Sequence, residues 1–173
     1  MSAAKGGHMH MLLWLQEKGF PWDTNTSANV AEGGHFELLK WFHGMGCPWD
    51  KYTSANVSKG GHLEFLTWLH EQGCPLAEDA CEKAAGGGHW DMLKWLHEQN
   101  CPWDKSTFLK ASEFGNLDMI KWLHENGCSF DEWTCSSAAT GGHIEVLKWL
   151  HEQGCAFDKN AWTQQLLRAI FKC

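Results

Sequence analysis

Residues 138–155 read Ala138-Ala139-Thr140-Gly141-Gly142-His143-Ile144-Glu145-Val146-Leu147-Lys148-Trp149-Leu150-His151-Glu152-Gln153-Gly154-Cys155. The stretch decides the fold because its landmarks return at a constant stride. Gly-Gly-His also stands at 6–8, 33–35, 60–62 and 87–89, and Phe114-Gly115-Asn116 fills the remaining slot. Tryptophan keeps the same step of 27 residues at Trp14, Trp41, Trp68, Trp95, Trp122 and Trp149. Cysteine keeps it at Cys47, Cys74, Cys101, Cys128 and Cys155, with Phe20 in the first slot. A fixed period of this length is the mark of a stacked array.

One period, 132–158, can be read as two helices. Thr134 is expected to cap a short first helix over Cys135–Thr140, and Gly141-Gly142 ends it. A second helix is expected from about His143 to Gln153. There Ile144, Val146, Leu147, Trp149 and Leu150 make a broad helical stripe and not a strand alternation. Gly154 takes the usual glycine position after a helix. In other periods Pro48 or Pro102 then forbids continuation.

Helices this short are marginal alone, so neighbouring pairs must stack and share one core. The expected architecture is all-α, a linear α-solenoid of helix-turn-helix units in a single repeat domain over 1–173. A partial unit at 1–23 is followed by full repeats at 24–50, 51–77, 78–104, 105–131 and 132–158. Arg168-Ala169-Ile170 replaces the Gly-Gly-His turn, so 159–173 is expected to be a C-terminal capping helix. The partial first unit leaves a second helix, Met9 to Lys18, nearly uncovered, a face suited to a partner or to self-association.

Ala138-Ala139-Thr140-Gly141-Gly142-His143-Ile144-Glu145-Val146-Leu147-Lys148 resembles the centre of an ankyrin repeat. The unit is about six residues shorter than the usual ~33, and the gap falls between Asp131 and Thr134, where ankyrin repeats carry their β-turn finger. The short form with Trp-Leu-His-Glu-Gln-Gly-Cys-Pro-Trp-Asp is similar to repeats of giant viruses and some protists. The resemblance implies a non-catalytic protein–protein interaction scaffold. It also leaves open an interaction segment of a larger ubiquitin-ligase adaptor.

Composition narrows the function classes. Apolar residues make up 43% and charged residues 20%, outside the range of a disordered chain. The net charge of -7 argues against a nucleic-acid partner. No apolar run approaches the ~18 residues of a membrane span. No nucleophile motif and no phosphate loop appears, so neither an enzyme nor a cofactor is expected.

Two columns could carry chemistry. His43/Cys47, His70/Cys74, His97/Cys101, His124/Cys128 and His151/Cys155 pair soft ligands one turn apart, the start of a metal- or haem-binding module. Equivalent positions in adjacent units lie about 10 Å apart, too far to share one ion or to close a disulfide between column neighbours. Cysteine as a small buried hydrophobe is the plainer reading, with reduced thiols in an intracellular setting, cytoplasmic or nuclear. The Gly-Gly-His rings are expected to bond backbone near the start of a second helix, remain neutral and fix the turn. If they are buried neutral, the array should lose stability below about pH 6.

Positions that differ between units are the candidates for recognition. Before the expected cap these are Asn25, Tyr52, Asp79, Ser106, Trp133 and Asn160. Just after it are Ser27, Ser54, Cys81, Phe108, Cys135 and Trp162. At the helix exit stand Glu32, Lys59, Gly86, Glu113 and Thr140, then Phe114. The proposed partner-binding strip is Tyr52, Asp79, Phe108, Leu109, Glu113, Phe114 and Trp133. Aromatic residues of this kind anchor interfaces.

Overall fold

The computed structural model describes residues 2–155. The expected capping helix at 159–173, with Asn160 and Trp162, lies outside them. Twelve helices run in order among the described residues: α1 (Ser2–Lys5), α2 (Met9–Glu17), α3 (Thr24–Glu32), α4 (Phe36–Gly44), α5 (Lys51–Gly60), α6 (Leu63–Glu71), α7 (Ala80–Gly86), α8 (Trp90–Glu98), α9 (Lys105–Phe114), α10 (Leu117–Glu125), α11 (Glu132–Gly141) and α12 (Ile144–Glu152). The all-helical solenoid expected from the period is what is observed.

The helix starts differ from the sequence reading. The cap of α11 is Asp131, three residues before Thr134; its carboxylate accepts from the Trp133 amide at 3.1 Å. Thr134 is a buried third residue whose Oγ1 accepts from the Asp131 amide at 3.2 Å. Asp23 and Thr26 repeat the arrangement in α3. The Thr26 amide, with the Asn25 and Thr26 side chains, holds the Asp23 carboxyl below the usual carboxylate range. The Asp-x-x-Thr spacing was the signal for this reciprocal box. Ala77 breaks the aspartate column. Without that cap, α7 starts at Ala80, has only seven residues, and has no side-chain cap bond from Asp79.

Stacking makes the core one continuous strip. First helices lie against first helices, α3 on α5, α5 on α7, α7 on α9 and α9 on α11. Three columns at the 27-residue step are sealed from water: Val30, Val57, Ala84, Ala111 and Ala138; Leu39, Leu66, Leu93, Ile120 and Leu147; Phe42, Leu69, Leu96, Leu123 and Leu150. A fully buried large aliphatic side chain contributes about 1.5–3 kcal/mol. No helix pair can bury that surface alone, so stability belongs to the stack.

The turns follow from backbone geometry. Gly142 takes φ +75 at the end of α11, and Gly154 takes φ +80 after α12, where a side chain would be strained. Asn100 fills the glycine slot after α8 at φ 58, the non-glycine type best suited to it. No described helix is long and apolar enough to cross a membrane.

Candidate functional site

The His and Cys columns are built into different parts of the stack. His43 lies flat on Trp49 with ring centroids 3.6 Å apart, and His97 lies on Trp103 at 3.9 Å. Each of those tryptophans meets the column tryptophan of the next unit edge-on, Trp49 on Trp68 at 5.8 Å and Trp103 on Trp122 at 5.4 Å. The cysteines turn inward. Cys47, Cys74, Cys101 and Cys128 direct their thiols to the main-chain oxygens of Asp23, Asp50, Ala77 and Asp104, at 3.2–3.7 Å. Cysteine thus closes each repeat with a small apolar body and a weak donor. Burial pushes the Cys74 and Cys128 thiols up to about 12. Among the described residues no group of three or more His, Cys, Asp or Glu comes together as a metal site.

One pairing was missed in the sequence. Cys135 of α11 and Cys155 are joined as a disulfide, Cα atoms 6.8 Å apart. The bond runs within a repeat, from the first helix to the turn after the second, and not between column neighbours. This pair departs from the reading of the column cysteines as reduced thiols, which the other described cysteines keep.

The Gly-Gly-His rings also act differently from the expectation. His35, His89 and His143 donate from Nε2 to the main-chain oxygens of Lys5, Lys59 and Glu113, at 2.9–3.0 Å and thirty residues upstream. Those oxygens are in the last turn of the preceding unit's first helix, where carbonyls lack intrahelical partners. The ring is therefore a link between units. In the unit that has Asn116 instead, the amide oxygen caps α10 from the Met119 amide at 3.0 Å. Phe114 takes over the packing role there, its ring lying over Gly88 as the His89 ring lies over Gly61.

The expected strip divides. Phe108 is fully buried, its ring 5.2 Å from Phe130. It is a core residue and is withdrawn from the strip. Ser27, Ser54, Cys81 and Cys135 are buried on the same side. Tyr52, Trp133 and Phe114 face solvent, 64%, 55% and 47% exposed. Asp79 is exposed beside Lys83 at 3.4 Å, Glu113 is exposed and paired with Lys110 at 2.8 Å, and Leu109 is half-buried. Tyr52, Asp79 and Trp133 hold the same place in their repeats, at the starts of first helices that stack in sequence. Residues at that place form one line along the array, about 8–10 Å per unit.

Residues 108–151 match the family model of ankyrin repeats. Among solved structures, the human ASB11 ankyrin repeat domain superposes with a TM-score of 0.63 at 21% identity, over 96% of this chain and 95% of that one. No curated protein matches the chain.

Proposed function

We propose, from the premise that this chain has the ankyrin-repeat fold, that it is a non-catalytic scaffold that binds a protein partner along its first-helix strip. Ankyrin repeats are in general protein–protein interaction modules. The observation that carries the finer reading is the exposure of Tyr52, Trp133 and Phe114 at places where other units carry smaller or polar residues. Large aromatics left in water on a rigid array supply contact area at low entropic cost and dominate interfaces. Asp79 and Glu113 sit within the strip as exposed ion pairs with Lys83 and Lys110, so the aromatics and not net charge should carry recognition.

The test is affinity capture with the chain and with Tyr52→Ala/Phe114→Ala/Trp133→Ala, both checked for helicity. Loss of a captured protein from the variant supports the strip. Identical captured sets reject it.

A further inference from the structure

Residue 27 and its equivalents stand twenty positions before the cysteine of the same repeat, and in two repeats the two side chains meet. Ser27 Oγ lies 3.2 Å from Cys47 Sγ. Ser54 spans to the Pro75 oxygen at 2.8 Å beside Cys74. At the last of these places the pair is the Cys135–Cys155 disulfide. The central repeat has cysteine at both places, Cys81 and Cys101. Both are buried, 0% and 6% exposed; the Cys81 thiol donates to the main-chain oxygen of Cys101 at 3.8 Å, and the Cys101 thiol to that of Ala77 at 3.4 Å.

We propose that Cys81 and Cys101 form a second disulfide-forming pair, closed by exchange with a low-molecular-weight disulfide of the glutathione type. The Cys101 thiolate attacks one sulfur of that disulfide, giving a mixed disulfide and one released thiolate, which takes up the proton. The Cys81 thiol then loses its proton and attacks the Cys101 sulfur. The protein bond forms, the mixed disulfide breaks, and the second small thiol leaves. Two protein thiols are oxidised by two electrons and one small disulfide is reduced to two thiols. Cys101 is the entry point because it is the less buried of the two. The neighbouring Cys101 and burial push the Cys81 thiol up, which leaves Cys101 the readier nucleophile of the two.

The position gives the bond a purpose. It would tie α7 to the exit of α8, and α7 is the short helix that lacks the aspartate cap. A link there restricts the opening of the least supported first helix.

The reduced protein is incubated with glutathione disulfide, the remaining thiols are alkylated, and the digest is mapped by mass without reduction. A peptide pair joining Cys81 to Cys101, two hydrogens lighter than the separate peptides, is expected. Amide exchange in α7 should slow at least ~10-fold on oxidation. Cys81→Ser is the control that keeps the fold, because serine occupies the same place at Ser27 and Ser54. It should abolish both changes and leave the Cys135–Cys155 link in place. Recovery of Cys81 and Cys101 as free thiols, or either joined to another cysteine, overturns the proposal. Unchanged α7 exchange in the linked protein overturns the role as a staple.

Discussion

The His143 ring donates from Nε2 to the main-chain oxygen of Glu113, 2.9 Å away in the preceding repeat. The bond satisfies a helix-end carbonyl and fixes the offset between two units. His143→Ala leaves that carbonyl to water and should lower stability by about 1 kcal/mol. The urea midpoint should fall with an unchanged slope. An unaltered midpoint would show that the ring does not couple the units.

Gly88 at φ +74 lies under the Phe114 ring, and a Cβ built there overlaps the ring. Gly142 has a similar φ of +75, and among the described residues nothing lies within 4 Å of its Cβ position. Gly142→Ala should cost about 1–2 kcal/mol from backbone strain alone. Gly88→Ala should cost more, because overpacking adds about 1–3 kcal/mol. Adding Phe114→Ala to Gly88→Ala should recover part of the loss, read as a favourable coupling in a double-mutant cycle.

Asp131 caps α11 and Asp79 does not cap α7. Asp131→Ala should therefore cost about 1 kcal/mol. Asp79→Ala loses only an exposed pair with Lys83 and should stay within about 0.5 kcal/mol. Equal losses in thermal or urea unfolding would contradict this assignment of the caps.

Phe108 fills the place held by Ser27 and Ser54 elsewhere, and it is fully buried. Phe108→Ala should cost about 3–5 kcal/mol. A variant of unchanged stability that loses partner binding would return Phe108 to the interface.

The His62 ring packs on Phe36 at 4.5 Å, with Glu37 and Glu64 beside the same groove. The residue as a whole is exposed, but its face on Phe36 is desolvated, and this, then the neighbouring His89, lowers its pKa from the ordinary 6.5. The unfolded chain therefore binds the proton more readily than the folded one. Stability from this site is present above about pH 6.5 and is lost as pH falls toward the folded value. Unfolding midpoints should drop between pH 7.5 and 5.5 and drop less in His62→Phe. Parallel curves would exclude the ring as a source.

Much of the architecture was legible in the residues. The stride of Gly-Gly-His, Trp and Cys specified paired helices, and the glycines marked the reversals. The apolar stripe of the second helix named its buried face, because Leu147 and Leu150 can be phased against a known start. The first helix could not be phased in the same way. Its true cap is Asp131 and not Thr134, and in a helix of about ten residues that choice decides which side chains point inward.

The sequence alone determined the repeat, its period and the need to stack, because helices this short have no other way to bury a common apolar face. Only the packed array decided that Trp133 faces water while Phe108 and Cys135 face the core. It also decided that His143 reaches back to Glu113 and that Cys135 meets Cys155. These relations depend on how far one unit is turned and shifted against the next and on how each loop returns to its own first helix. Neither is written in the local pattern of a single period.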